Sequence, residues 1–472
     1  MNSSHFKFAA PPVVWAVLFL TPAPPGLPEA AWSYFAIFAA VIAALILEPI
    51  PPSATGLIGV TAAVLTGYVF PAPADSVKWG LSGFSNTTVW LIFGAFILSM
   101  GYEKTGLGRR LALLMVRALG GRTIGLGYAI AFADLFLAPG TPSNNARSAG
   151  TIYPVISHIP ALYESRPGPT ARKIGAYIMW TAFASTAATS ALFLTAMAPN
   201  ILAVSLVRQT AGVEIDWTTW FLGALPVAGP LLLLMPVLVY FLYPPGIKQS
   251  PEAPRWAGEQ LSLMGPMPRE QKVMACLVLL AVSLWIFGSS FINATAVVML
   301  VICLMLLLRV ITWDDVLGNR HAWNVLVWFA TLVTLADGLG RAGFVNWAAE
   351  AIASQLVGLT PPLVLAALVA FNFLIHYLFA SLTAHTIAIL PVVLAVGQSV
   401  PGMPVEPLAL LLCYSLGLMG IITPYATGPA PVYYSCGYIS RTEFWRLGFI
   451  FGMIFLLLLL AIGIPHLDFL LG

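Results

Sequence analysis

APGTPSNNAR, residues 138–147 and here called the first tip, is a small and polar run between two apolar segments, each too short to cross a bilayer alone. FASLTAH at 379–385, the second tip, repeats its pattern. In both, Ser-x-x-Ala precedes a basic residue, and the helix predicted to follow ends at a proline, Pro154 or Pro391. A helix starting at the serine places serine and cation on one face, a turn apart. The duplicated motif predicts a paired anion site inside a membrane.

The composition indicates the class of protein. Of 472 residues, 59% are hydrophobic and 8% charged, whereas soluble chains carry about 25% charged residues. About ten or eleven apolar runs approach the roughly 20 residues of a spanning helix. The predicted fold class is therefore an all-α polytopic membrane protein. Because the chain has no C-x-x-C pair, P-loop or H-E-x-x-H motif, no metal, cofactor, enzymatic activity or nucleic-acid partner is predicted.

The N-terminal apolar run follows Lys7 and ends near Leu20. A cleaved signal peptide is one reading of this pattern. No A-x-A-like cleavage site follows the run, so a retained first span is the preferred prediction.

The chain divides into two halves with the same order of elements. The first half predicts spans at 11–22, 30–48, 54–71 and 86–102, a surface helix at 105–120, a helical hairpin at 123–138 and 143–157 turning at 139–142, a segment at 172–207 interrupted near 195–200 (the first break), and a span at 218–243. After a polar linker at 244–271, the second half predicts spans at 272–290, 293–309 and 322–337, a surface helix at 343–357, a hairpin at 361–380 and 383–399, a segment at 405–436 interrupted at 425–430 (the second break), and a span at 444–464.

Three pairs of landmarks indicate an internal duplication. The glycines that open the surface helices, the two tip serines and the two break prolines lie 237, 238 and 230 positions apart. A cytoplasmic N-terminus places most Lys and Arg residues on the cytoplasmic side of the membrane. The exceptions are Lys78, Arg208 and Arg341 on the external side and Arg147 in the membrane interior. This orientation puts the C-terminus outside and gives the two copies opposite topology. Inverted repeats with interrupted helices are typical of secondary transporters.

Arg147 is the strongest single candidate for substrate contact. A charge in mid-membrane costs at least ~2.5–3.5 kcal/mol unless it is paired or solvated. The alternative is that Arg147 serves only as the structural partner of a buried acid, for which Asp134 is the nearest candidate. Ser143 and Asn144 can likewise cap a helix, contact a ligand, or do both. His385 occupies the position equivalent to Arg147, and the two cations suit an anion with two carboxylates.

Three segments give the chain a resemblance to the divalent anion/sodium symporter family, closest to its branch of citrate and tartrate:succinate antiporters and 2-oxoglutarate/malate translocators. The segments are TPSNNARSAG at 141–150, YLFASLTAHT at 377–386 and ITPYATGPAPVYYSCGYIS at 422–440. The resemblance covers nearly the full length. It implies a homodimer that moves small carboxylate anions across a bilayer, here the bacterial inner membrane, by an elevator motion.

The resemblance also implies a division of labour. Residues 1–85 and 218–321 are expected to form the scaffold, and 86–217 and 322–472 the mobile transport part. Sodium-coupled members of the family bind the ion at the tips and at break backbone matching Ala196 and Ala426. By similarity, the substrate-binding residues at the tips and the second break are Ser143, Asn144, Asn145, Ser381, Leu382, Thr383, Thr427, Gly428 and Pro429, next to Arg147 and His385.

The chain departs from the family pattern at Asn145, where a threonine is usual, and at Leu382, which replaces an amide. Arg147 and His385 resemble substitutes for sodium charge. A carrier with unneutralised positive charge would cross poorly when empty, which predicts obligatory exchange of di- or tricarboxylates for succinate or another dicarboxylate. A sodium- or proton-coupled symporter is the main alternative. An anion channel, or an intramembrane enzyme using Arg147, His385 and Asp134, is disfavoured.

Overall fold

The computed structural model describes residues 3–353 and 358–471. Within these residues the chain is helical and has no strand beyond one isolated bridge between Arg122 and Gln249. The α-helices are α1 Ser3–Leu20, α2 Glu29–Leu47, α3 Pro52–Thr66, α4 Pro73–Gly80, α5 Thr87–Thr105, α6 Leu107–Leu119, α7 Thr123–Leu137, α8 Tyr153–Ile156, α9 Gly175–Leu192, α10 Ala198–Ala211, α11 Trp217–Leu242, α12 Glu252–Leu263, α13 Arg269–Phe287, α14 Ala294–Leu307, α15 Trp313–Gly318, α16 Arg320–Arg341, α17 Phe344–Ala353, α18 Pro361–Ile375, α19 Leu382–Gln398, α20 Val405–Leu418, α21 Ala430–Ser435, α22 Arg441–Leu458 and α23 Ile464–Leu471.

Hydropathy and surface exposure agree with the predicted membrane class. Among the described residues, seven helices are long and apolar enough to cross a membrane, and further apolar helices are 10–17 residues long. Large apolar side chains on these helices are exposed, for example Phe241 at 73% and Phe287 at 79%. Such exposure is stable only against lipid or another apolar partner. The all-helical membrane fold is therefore confirmed, whereas the number of spans remains a prediction.

The predicted linker 244–271 contains a helix that was not predicted from the sequence. α12 occupies its centre and packs against α6. Its prolines fall at the N-cap and in the first turn, where a missing N–H costs no helical hydrogen bond. The short helices α4 and α15 were also not predicted. The surface helix predicted at 343–357 is present as α17, and its last four residues lie outside the described part of the chain.

Arg110 ties α6 to the end of the linker. Its side chain is buried, although it lies on a predicted surface helix. Arg110 Nε donates to Gln271 Oε1 at 2.6 Å, and its Nη1 donates to the carbonyl of Gly265 at 3.0 Å. Gln271 Nε2 in turn donates to the carbonyl of Thr105 at 2.6 Å. These bonds fix α6, the linker and the start of α13 together.

Arg110→Ala should therefore destabilise the protein by about 2–3 kcal/mol, because Gln271 Oε1 and the carbonyl of Gly265 lose their charged hydrogen-bond donor. Thermal unfolding in detergent measures the effect. The matched control is Arg109→Ala, whose exposed side chain makes one 3.3 Å bond to Gln260. We expect this control to lie within about 0.5 kcal/mol of the unsubstituted protein. Equal melting temperatures for the two variants would contradict the role of Arg110.

Contacts divide the chain into two compact units. The first unit comprises 1–93, 201–215 and 320–412, and the second comprises 94–200, 216–319 and 413–472. In the first unit, α16 packs against α3, and α19 packs against α17 and α18. In the second unit, α11 packs along α7 and α9. The bounds of these compact units differ from those of the predicted scaffold and transport parts. Contacts do not show which part moves, so the division into scaffold and transport parts remains a prediction.

Candidate functional site

The first tip begins where α7 ends. Residues Ala138–Gly140 form a 3-10 turn, Thr141 is extended, and Asn145–Ile152 form a π-helix that leads into α8. The sequence predicted one regular helix from 143 to 157 in place of this arrangement. Pro154 has no N–H to offer to the preceding turn. Within the π-helix, Thr151 Oγ1 donates to the carbonyl of Ala146 at 3.1 Å. π-Helical turns of this kind are frequent at functional sites.

Arg147 is fully buried, and each of its three side-chain nitrogens has a protein partner. Its Nε lies 3.2 Å from Asp134 Oδ1 in an ion pair. Its Nη1 donates to the carbonyls of Thr141 and Ala196 at 3.1 and 2.7 Å, and its Nη2 donates to Ser190 Oγ at 3.1 Å. The structure thus adopts the alternative considered above, in which Asp134 is the partner of Arg147. Direct contact between Arg147 and a substrate remains a prediction.

Asp134 has further hydrogen-bond partners on α9. Thr186 Oγ1 lies 3.2 Å from Asp134 Oδ1, and the Thr189 hydroxyl donates to Oδ2. The carboxylate is buried and compensates the charge of Arg147. The expectation of an unneutralised positive charge at the first tip is therefore wrong. The sequence could not decide this point, because it does not show whether Asp134 faces the tip.

Backbone bonds join the first tip to the first break. The helix is interrupted between α9 and α10, with a 3-10 turn at Leu194–Ala196. The N–H of Ala198 donates to the carbonyl of Pro142 at 2.8 Å, and Thr195 Oγ1 donates to the carbonyl of Pro139 at 2.7 Å. With the bond from Arg147 to Ala196, these contacts make the first tip and the first break a single polar structure inside the second unit.

The second break also contacts the first tip. Asn144 Nδ2 donates to Thr427 Oγ1 at 2.8 Å. Gly428 lies so close to the tip that an added Cβ would be 2.9 Å from Asn145 Cβ. Asn145 and Gly428 are exposed, whereas Thr427 is buried. The structure therefore brings together candidates that lie more than 280 positions apart in the sequence.

Ser143 and Pro429 have local structural roles at the edge of this cluster. Ser143 is half-buried, and its Oγ accepts from the N–H of Ala146 at 3.2 Å. Pro429 is buried at the N-cap of α21. Capping by Ser143 agrees with one of the two roles predicted for it and leaves the other open, since a hydroxyl can accept and donate at once.

The second tip lies in the first unit and repeats the local geometry of the first. Ser381 Oγ accepts from the N–H of Ala384 at 3.3 Å, as Ser143 does from Ala146. The N–H of His385 donates to the carbonyl of Ser381 at 3.0 Å, and that of Arg147 to Ser143 at 2.9 Å. The predicted placement of serine and cation one turn apart is confirmed in both copies. Leu382 and Thr383 are buried in the first turn of α19.

His385 is buried and contacts two residues of the preceding helix and turn. Its Nε2 lies 3.1 Å from Asn372 Oδ1, and its ring centroid lies 5.0 Å from that of His376. Asn372 precedes His385 by 13 positions, the same interval that separates Asp134 from Arg147. Asn372 is not among the predicted site residues, although it lies 238 positions after Asp134, the same offset as the tip serines.

A buried hydroxyl chain, which the sequence did not predict, links α21, the helix after the second break, to the ion pair. Tyr433 Oη on α21 lies 2.9 Å from Ser148 Oγ, which lies 2.7 Å from Thr186 Oγ1. Thr186 also contacts Asp134. The chain of contacts therefore connects α21 to the carboxylate that holds Arg147.

Apolar helices, two interrupted helices and a polar cluster where tip and breaks meet are features of secondary transporters. The chain belongs to the sodium:sulfate symporter family, since the model for that family's transmembrane region matches residues 2–471. This match confirms the resemblance found in the sequence, and the chain is an integral membrane protein.

Individual relatives are similar over nearly the whole chain. The chain is 49% identical to the citrate/succinate antiporter of Escherichia coli (strain K12), over 98% of this chain and 97% of that protein. It is 46% identical to the L-tartrate/succinate antiporter of Shigella sonnei (strain Ss046), over 98% of each. The crystal structure of the Alcanivorax borkumensis YdaH transporter superposes with a TM-score of 0.53 at 16% identity, covering 83% of this chain and 88% of that one, and shows likeness of fold alone.

Proposed function

We propose that this chain is a secondary transporter that exchanges a di- or tricarboxylate, such as citrate, tartrate, malate or 2-oxoglutarate, for succinate or another dicarboxylate. The observation that carries the proposal is its 49% and 46% identity, over nearly the full length, to antiporters named for citrate, L-tartrate and succinate. Antiport by these relatives also argues against an enzyme and against a passive channel.

The cluster at the first tip has suitable chemistry for a carboxylate. Asn144 and Thr427 hold each other, while Asn145 and Gly428 are exposed beside them. Amide and hydroxyl donors with helix N-termini bind anions without a mobile counter-ion. We assign substrate contact to Ser143, Asn144, Asn145, Thr427 and Gly428. Pro429 orients the second break. By the repeat, Ser381, Leu382 and Thr383 take the equivalent part at the second tip.

Arg147 supports exchange that does not need sodium at the first tip. Its Nη1 donates to the carbonyl of Ala196, the position that resembles a backbone sodium ligand in coupled relatives. A guanidinium bonded to that oxygen occupies the position of the ion, and its N–H donors take the place of a metal–oxygen contact. Because Asp134 holds the guanidinium, we assign Arg147 the role of a tethered cation that supports the substrate-binding backbone.

The proposed cellular arrangement combines the predicted inverted repeat with what the family resemblance implies. We propose a homodimer in the bacterial inner membrane with a cytoplasmic N-terminus, an external C-terminus and two re-entrant hairpins that move by an elevator mechanism. The basic residues favour this orientation. α11 packs along α7 and α9, which favours placing 217–242 with the first hairpin and not in the predicted scaffold.

Counterflow in liposomes tests the exchange. Vesicles loaded with succinate should take up labelled succinate at least about tenfold faster than empty vesicles, because in obligatory exchange an external anion enters only as an internal one leaves. Unlabelled citrate, tartrate, malate and 2-oxoglutarate, added outside, should rank the substrates by competition. Equal uptake into empty vesicles would contradict exchange. Uptake into empty vesicles driven by a sodium or pH gradient would instead favour a symporter, as the name of the matched family suggests.

A further inference from the structure

The two tips hold their cations with different partners. In the first copy a buried carboxylate, Asp134, lies 3.2 Å from Arg147. In the second copy the residue at the same interval is an amide, and Asn372 Oδ1 lies 3.1 Å from His385 Nε2. The first pair is a permanent cation with a compensating anion. The second pair joins a base that can be protonated to a group that carries no charge.

Among the described residues, His385 has a second base beside it and no acid recorded in contact with its ring. α18 and the turn after it present Asn372 and His376, and the ring of Phe379 packs at 5.1 Å. α17 and α2 also pack against α19, and their charged residues, Glu350 and Glu29, are exposed on those helices. Two imidazoles 5.0 Å apart hold at most one proton readily, since like charges disfavour a second.

His385 also has a buried atom to which a proton can be added. With Asn372 Oδ1 as the acceptor, His385 Nε2 carries a hydrogen, which leaves Nδ1 as the basic nitrogen of the neutral ring. Nδ1 is buried and has no hydrogen-bond partner among the described residues. A protonated ring keeps the bond to Asn372 and gains one positive charge. The bond between His385 and Asn372 is thus kept in both charge states.

We propose that His385, positioned by Asn372, is a proton-binding site that adjusts the charge of the carrier to the charge of its anion. The proposal rests on the proposed exchange function. A dicarboxylate with two negative charges would travel with neutral His385, and a tricarboxylate with three would travel with protonated His385. Both loaded carriers then have the same net charge. One proton enters the ring with each tricarboxylate and leaves it when that anion is released, and no electron is transferred.

Asn372→Asp tests the proposal by copying the first pair into the second tip. A carboxylate beside the imidazole should hold the proton permanently, as Asp134 holds its charge partner. Purified protein is placed in liposomes loaded with succinate and a pH-sensitive dye, at a membrane potential clamped with potassium and valinomycin. Labelled citrate and labelled succinate are supplied outside in separate assays, and His5→Gln, at an exposed histidine of α1, is the control.

For the unsubstituted protein and His5→Gln we expect about one proton to enter with each citrate and citrate–succinate exchange to be insensitive to the potential. For Asn372→Asp we expect succinate–succinate exchange to persist, proton uptake to fall towards zero, and citrate–succinate exchange to become voltage-dependent. If Asn372→Asp still takes up one proton per citrate, the proton travels on the substrate and the proposal is overturned. Potential-driven exchange without proton uptake by the unsubstituted protein would also overturn it. If the unsubstituted protein exchanged neither citrate nor succinate, the proposed function itself would be overturned, and the proton site with it.

Discussion

Arg147→Ala should destabilise the protein by about 3–5 kcal/mol and abolish carboxylate exchange, because it leaves the Asp134 carboxylate buried without its counter-charge. The substitution also removes the donor to the carbonyls of Thr141 and Ala196, which joins the first tip to the first break. Thermal unfolding in detergent and succinate counterflow measure the two effects.

The paired variant Asp134→Leu/Arg147→Met separates stability from transport. Replacing both members of a buried ion pair by apolar residues is often neutral for stability, so we expect most of the thermal loss to be recovered. Exchange should stay absent, since the bond from Arg147 to the Ala196 carbonyl is still missing. If Arg147→Ala were stable and transported at the normal rate, Arg147 would have no part in holding the site.

Gly428→Ala should lower exchange by about 100-fold or more with little loss of stability, because small displacements at a binding site have large effects on rate. Its added Cβ would lie 2.9 Å from Asn145 Cβ, so the tip and the second break must separate. Gly428 is exposed, which leaves the core undisturbed. Initial rates of counterflow over a range of succinate concentrations measure the effect.

Gly258→Ala is the matched control for the same chemical change. An added Cβ at Gly258, on α12, meets no atom within 4 Å. We expect normal exchange from this variant. Normal exchange by Gly428→Ala as well would show that close packing between Asn145 and Gly428 is not needed for binding.

The sequence predicted the features that repeat along the chain. Hydropathy identified the helical membrane class, and the shared offsets identified two tips with the same local geometry, as Ser143 and Ser381 show. Contacts between distant segments were not predictable. Whether Asp134 or a substrate pairs with Arg147 depends on which face of α7 meets the tip. The bond between Tyr433 and Ser148 joins residues 285 positions apart, and no periodicity encodes it.

Irregular backbone was the other limit. The π-helix from Asn145 replaces a predicted regular helix; it contains a side-chain bond from Thr151 to the carbonyl of Ala146 and precedes Pro154. α12 was missed because its prolines make the linker look unstructured, although proline is compatible with a first helical turn. In contrast, Asn372 could have been found from the sequence, since its offset from Asp134 equals that of the tip serines.

The central claim is that a tethered guanidinium, not a bound metal ion, holds the backbone of the first tip and the first break together. The most direct measurement is succinate counterflow in sodium-free buffer, repeated with increasing sodium on both sides of the membrane. Exchange at full rate without sodium, unchanged as sodium is added, is the predicted result. Exchange that is absent without sodium and rises with its concentration would contradict the claim.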